Sequence, residues 1–332
     1  MTFIPADERL ILFDMYTRAM KFLTVDELKA LKDAGLGTAL ITTMEWDKFE
    51  PSLGKYDYGY IDERLERVLS AGMRALLPIW QVQNSHFPLP WYAQTMGGSI
   101  PVWDRHPEYI LSPWCNEAQL HALEVMQLVV DHVAGTNVQV ISSLTRFGES
   151  VMPQDARHFD PWARQSWKAA GLPHNTPDEN LPGAAAWIKK AYTSMILSQQ
   201  AILTEQYREA WFGFHLPKAG RVNAGVDWFE DYIAAIRSTL GADIEINHIT
   251  YTYFVPSYTG PYNNLPERVK HLRDIGVQTW CGAEYCEGLR DGNGEKAREI
   301  GMRGLVVAPC HAYTNHYQLE PWMIEEIRKA AR

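Results

Sequence analysis

The sequence predicts an α/β fold, a single (β/α)8 TIM barrel spanning residues 1–332, on three observations. Short apolar runs of strand length alternate with amphipathic helical stretches from end to end, the pattern of a parallel sheet covered by helices. The strand-like runs number eight, which matches the eight β/α units of a barrel. Two connections, Gln81 to about Asn116 and Gly148 to about Gly183, far exceed an ordinary βα loop, as loops on the working face of a barrel do.

In chain order, the first strand is Leu10–Phe13 and its helix Val25–Ala34; the second strand is Gly37–Thr42, followed by the helix Tyr60–Ala71. The third strand, Arg74–Trp80, leads through the first long connection to the helix Glu117–Val133. The fourth, Val138–Leu144, leads through the second to Ala184–Tyr207. Ala210–His215 precedes Trp228–Leu240, Ile244–Thr250 precedes Pro266–Asp274, and Val277–Cys281 precedes Gly294–Ile300. Gly304–Ala308 is the eighth strand, and Pro321–Ala331 closes the ring. Gly35, Gly72, Gly276 and Gly301 stand where a helix stops before a strand and suit the left-handed conformation that glycine adopts there. An open doubly wound sheet is the structural competitor, but no Gly-x-Gly-x-x-Gly turn follows the first strand.

Composition narrows the partners. A net charge of −9 argues against general affinity for nucleic-acid phosphates or anionic membrane, both of which need clustered Lys and Arg. The 12 Trp and 16 Tyr exceed what packing alone usually requires, and aromatic faces suit stacking on sugars, although any single ring is more often core. Both long connections carry such residues, among them His86, Trp91, Tyr92, Trp103, Trp114, His158, Trp162 and Trp167. Cys115, Cys281, Cys286 and Cys310 lack the spacing of a disulfide framework or zinc knuckle and read as reduced, mostly buried thiols. The first residues show no basic segment leading into an apolar one, and no run approaches a membrane span, so a cytoplasmic location is the default unless a signal has been removed. Homo-oligomer formation is left open.

Catalytic groups of a barrel sit at the C-terminal ends of its strands. The fourth strand is followed by Glu149 and the seventh by Glu284, across the mouth from one another. Cleaving a glycosidic bond takes one carboxylic acid to protonate the leaving oxygen and one carboxylate to attack or to activate water, so this pair suits glycoside hydrolysis without metal or cofactor. Asp14, Trp46, Trp80, Arg146, His215, His248, Trp280, His311 and Tyr313 also fall at or near strand ends and are candidates for binding sugar hydroxyls or stacking on the ring. Each is as readily a packing residue.

The segment Met44-Glu-Trp-Asp-Lys-Phe-Glu-Pro-Ser-Leu-Gly-Lys-Tyr-Asp-Tyr-Gly-Tyr-Ile-Asp62, with Pro90-Trp91-Tyr92 further on, resembles the family 42 β-galactosidases of the clan-A glycoside hydrolases. The resemblance is good over about residues 10 to 150 and mainly topological beyond. It implies a retaining β-glycosidase with Glu149 as acid/base and Glu284 as nucleophile, Tyr251 or Tyr253 hydrogen-bonding the nucleophile, and Trp91 at the sugar. The chain departs from the clan at Gly148, where its members usually carry Asn. Gly148, Glu149 and Pro153 also look like the family 14 β-amylases, which invert.

Two other classes stay open at this point. Glu149, His215, His248, Glu284 and His311 would together make a ligand set for a metal-dependent sugar isomerase or epimerase. A non-catalytic sugar-binding barrel would use the aromatics and not the glutamates.

Overall fold

The computed structural model describes residues 3–13, 23–41, 46–80, 82–83, 98–100, 108–110, 112–143, 161–174, 181–213, 224–250, 265–283, 286–290, 292–309 and 318–332. Its elements run β1 (Leu10–Phe13), α1 (Val25–Ala34), β2 (Thr38–Leu40), α2 (Trp46–Phe49), α3 (Tyr58–Ser70) and β3 (Arg74–Trp80). The short strands β4 (Val82–Gln83), β5 (Gly98–Ile100) and β6 (Glu108–Ile110) precede α4 (Asn116–Val133), β7 (Val138–Ser143), α5 (Pro161–Ala169), α6 (Ala184–Tyr207) and β8 (Glu209–Gly213). Then come α7 (Ala224–Thr239), β9 (Glu245–Thr250), α8 (Leu265–Asp274), β10 (Val277–Ala283), α9 (Glu287–Arg290), α10 (Asn293–Glu299), β11 (Gly304–Val307) and α11 (Pro321–Ala330).

Eight of the strands form a parallel sheet in the order β7-β3-β2-β1-β11-β10-β9-β8, with helices between them. The two outermost strands, β7 and β8, lie beside each other, so the sheet curls into a nearly closed barrel. The eight expected strands are these eight, with ends shifted by no more than two residues where they are described. All four helix-stop glycines have positive φ. At Gly35, with φ 119°, the backbone N–H bonds back to Lys32, and a Cβ there would stand 2.4 Å from Ala331 Cβ, so this turn also sets how closely α11 packs.

Alternation along each strand sorts side chains into two cores. Even positions of β1 and β10 face opposite ways in the barrel: Leu10 and Leu12 point out to the helices, whereas Trp280 points in. The inner core takes a side chain from each of the eight strands: Ile11 and Phe13, Leu40, Leu76, Ile141, Trp211, Ile249, Trp280 and Val306. The outer core is larger and is covered by helices whose apolar stripes face inward, as Leu28, Leu31 and Ala34 do on α1. That helix starts where Thr24 accepts from the Glu27 N–H and Glu27 accepts from the Thr24 N–H, so two otherwise orphaned donors are satisfied reciprocally.

Besides the short helices α2 and α9, elements inside the two long connections were not expected. The first long connection carries an antiparallel ribbon in the order β4-β6-β5, and the second carries α5. On α5, Ala163 and Trp167 form a buried i,i+4 pair, and the indole N–H of Trp167 donates to Pro173 O at 3.0 Å. Trp114 stacks on Trp187 with centroids 4.2 Å apart, and Trp167 meets Trp187 edge-on at 5.1 Å. Trp114, Trp162 and Trp167 therefore pack against the helix layer rather than standing out from the loops.

Candidate active site

One end of the barrel is closed. Ile4 enters the inner core, the Phe3 N–H donates to Glu209, and Arg303 donates to the carbonyls of Ile4 and Pro5 at 2.9 and 3.1 Å. These contacts gather where the strands begin: Arg303 also binds Glu245 and Gln278 at 2.9 and 2.6 Å, and Arg74 pairs with Glu8 and donates to Thr38. Burial pushes the carboxyls of Glu209 and Glu8 above the ordinary carboxylate range; at Glu209 the charge of Glu245 adds to this, and at Glu8 Thr38 and Arg74 oppose it. The N-terminal face is thus a sealed, charged floor, and the opposite face, where the strands end, is the mouth.

In sequence, most of the candidates follow directly on the ends of the strands. β10 ends at Ala283, next to Glu284 in sequence, and β7 ends at Ser143, six positions before Glu149. β1 ends before Asp14, β8 two positions before His215, and β9 immediately before Tyr251. Trp80 is the last residue of β3 and is paired in register with Ser143. Asp14, Trp91, Arg146, Glu149, His215, Tyr251, Tyr253, Glu284, His311 and Tyr313 lie outside the described residues.

Three candidates are described in full, and all three are buried. Trp280 is wholly buried in the inner core, its indole N–H donates to Asn247 Oδ1 at 3.2 Å, and the Arg303 guanidinium lies 5.0 Å from its ring on the floor side. Gly304 makes room for it, since a Cβ there would come within 2.8 Å of the ring and 2.0 Å of Arg9 O. His248 follows Asn247, which bonds inward, and precedes Ile249, which packs inward; its own ring faces the helix layer 5.3 Å from Phe229. The five-residue ligand set for a metal therefore loses a member. Among the described residues, no group of three or more His, Cys, Asp or Glu is placed to hold a metal ion. Cys115, Cys281 and Cys286 are buried, and Cys310 lies outside the described residues.

Trp46 is buried and is held by Glu50, a residue of the same motif, to which no role was assigned from the sequence. Its indole N–H donates to Glu50 Oε2 at 2.8 Å, one helical turn away. The Glu50 carboxylate, fully buried, also accepts from the Gly54 N–H at 2.7 Å and contacts His121 Nε2 at 3.0 Å through both oxygens. The His121 ring stacks on Trp46 at 6.1 Å and turns Nδ1 toward Glu124 at 3.2 Å. Nearby, burial together with the Glu50 and Glu124 charges pushes the Tyr56 hydroxyl up to about 12. The spacing of Trp46 and Glu50 is a legible i,i+4 signal. Their partnership with His121, 71 positions away, is visible only in three dimensions.

Comparison with known proteins agrees with this architecture. The family 42 glycoside hydrolase model, described as "Beta-galactosidase", matches residues 20–110, the stretch that holds the Trp46–Asp62 motif. The β-galactosidase BbgII of Bifidobacterium bifidum is 25% identical over 158 residues, which cover 43% of this chain and 22% of that protein. The chain thus spans about a fifth of the length of that curated relative. Among solved structures, the catalytic domain of the β-amylase of Paenibacillus polymyxa aligns over 98% of both chains with TM-score 0.68 and 13% identity. The β-galactosidase of the psychrophilic Marinomonas ef1 aligns over 97% of this chain and 59% of its own, with TM-score 0.61 and 11% identity. That of the haloarchaeon Halorubrum lacusprofundi aligns over 97% and 57%, with TM-score 0.59 and 12% identity. By sequence over residues 20–110 and by fold over nearly its whole length, this chain is similar to the clan-A (β/α)8-barrel glycoside hydrolases.

Proposed function

We propose that the chain is a single catalytic barrel that hydrolyses β-linked glycosides, galactosides or glucosides, by a retaining double displacement, with Glu149 as acid/base and Glu284 as nucleophile. The observation that carries this reading is the register of β10. Trp280 packs inward and Gln278 bonds to Arg303 on the floor, so Gly282 shares the inward face and the next position in that alternation is 284. A glutamate directly after this strand supports its role as the nucleophile. The glycosidase class itself draws support from the family 42 match and from barrel neighbours that are themselves named β-galactosidases and β-amylase.

In the proposed reaction Glu149 donates its proton to the leaving oxygen while Glu284 attacks the anomeric carbon; water, deprotonated by Glu149, then releases the sugar with its configuration retained. Trp80, Trp91 and Arg146 stand in or after strands that flank the Glu149 side, and Asp14, His215, Tyr251, Tyr253 and His311 follow the others, so each is a proposed sugar contact. The substrate is a neutral carbohydrate, in keeping with a net charge of −9. Among the described residues no helix is long and apolar enough to cross a membrane.

Turnover of an aryl β-galactoside and an aryl β-glucoside by Glu149→Gln and Glu284→Gln tests the pair. Each variant is expected to lose on the order of 10²–10⁴-fold in kcat. Wild-type rates in both would overturn the assignment. A 2-fluoroglycoside that labels Glu284 supports the covalent intermediate, whereas a first-formed product of inverted configuration by NMR would replace retention with the inverting alternative.

A further inference from the structure

We propose that Glu50 is a positioning residue for the mouth, which it serves by locking Trp46 and so fixing where the chain after β2 re-enters the fold. This rests on the glycosidase reading of the mouth, but the lock itself is visible without it. The Glu50 carboxylate is wholly buried, and a buried carboxylate persists only where its oxygens are satisfied. Its oxygens meet three donors or ring nitrogens from three separate pieces of chain: the Trp46 indole at the start of α2, the Gly54 amide in the turn before α3, and His121 on α4.

The geography gives the lock its consequence. β2 ends at Leu40, and the Ile41 N–H still donates to Leu76 O of β3 at 2.9 Å, so the chain is pinned to the barrel up to residue 41. It is pinned again at Trp46 by Glu50. The chain therefore leaves the mouth end of β2 and returns to a fixed point five positions later. His121 lies early in α4, the helix into which the long β3 connection runs, so the same carboxylate ties the exit of β2 to the anchor of the β3 connection. His121 completes the tie, with Glu50 at Nε2 and Glu124 at Nδ1. Loosening Glu50 would thus shift two mouth connections at once without removing any group proposed to touch the sugar.

The test uses the full chain with 4-nitrophenyl β-galactoside and three variants, Glu50→Gln, His121→Gln and the double variant. His132→Ala, which breaks a different tie of α4, to Asp62, is the control. A displaced mouth weakens ground-state and transition-state binding alike, so KM should rise about tenfold in each single variant with kcat within about twofold. Simple loss of folded protein would lower apparent kcat at unchanged KM. Because Glu50 and His121 act as one unit, the double variant should be no worse than about the poorer single. The control should keep the wild-type KM. Exchange of the Trp46 indole N–H, followed by NMR, should quicken at least about tenfold in Glu50→Gln. An unchanged KM in both single variants, or an indole as protected in Glu50→Gln as in the wild type, overturns the proposal. If the wild type turns over no aryl glycoside, the glycosidase reading falls instead, and the exchange experiment decides the lock by itself.

Discussion

At the scale of single residues, side-chain direction separates what a residue type suggests from what it does. Trp46, His248 and Trp280 are chemically suited to a sugar site, yet Trp46 is held by Glu50, His248 faces Phe229 in the helix layer, and Trp280 fills the barrel interior. Their identities were legible in the sequence; the directions of His248 and Trp280 depended on strand phase, which follows from a strand's exact register against its neighbours, and that of Trp46 on its bond to Glu50. The same logic leaves one buried acid with a measurable signature. Glu209 is 3% exposed at the floor and accepts from Phe3 and from the Trp211 indole, and burial holds its carboxyl above the ordinary range. A carboxyl raised in the folded state contributes stability in full below its unfolded value, about 4.3, and that contribution is lost as pH rises through the folded value. Glu209→Gln keeps an acceptor and cannot ionise. Its Tm relative to wild type is therefore expected to climb from pH 4 to pH 8, as read by parallel thermal melts; a flat difference would mean that the Glu209 charge costs the fold nothing.

At the scale of elements, the sequence was read most accurately where periodicity and caps agree. On α1 the stripe of Leu28, Leu31 and Ala34 lies between the Thr24–Glu27 box and Gly35, and the helix has the expected limits, Val25–Ala34. Thr24 supplies both the side-chain acceptor for Glu27 N–H and a hydroxyl that donates to Glu27 Oε2 at 2.8 Å. Thr24→Ala leaves that first turn with an unsatisfied donor and is expected to cost about 1 kcal/mol in denaturant unfolding, with no change in the folded far-UV spectrum. Thr24→Ser should restore most of it. Elements inside the two long connections escaped for an opposite reason. β4, β5 and β6 are two or three residues long, too short for an alternation to register, and α5 joins two tryptophans and two alanines in nine residues that read equally as an aromatic loop. Their order comes from long-range contacts, such as Trp167 against Trp187 of α6, rather than from local pattern.

At the scale of the whole molecule, the two ends of the barrel divide the work: charge at the floor holds the strands together, and the mouth carries the proposed chemistry. Arg303 is the hub of the floor. With a side chain 7% exposed it binds Glu245 of β9, Gln278 of β10 and the carbonyls of Ile4 and Pro5, and lies over the Trp280 ring. Arg303→Met keeps the bulk but strands Glu245 in a largely buried site and removes donors from two carbonyls, so a loss of about 3–5 kcal/mol is expected in denaturant unfolding. Arg303→Met combined with Glu245→Leu removes both charges and should recover a large part of that loss, because a buried pair replaced by apolar side chains is often close to neutral. In a barrel the floor serves stability and the strand C-termini serve chemistry, so kcat and KM of Arg303→Met on an aryl glycoside, measured well below its melting temperature, should match the wild type. A variant that kept its Tm but lost turnover at 25 °C would show instead that the floor and the mouth are mechanically coupled through the inner core of Trp211, Ile249, Trp280 and Val306 that lies between them.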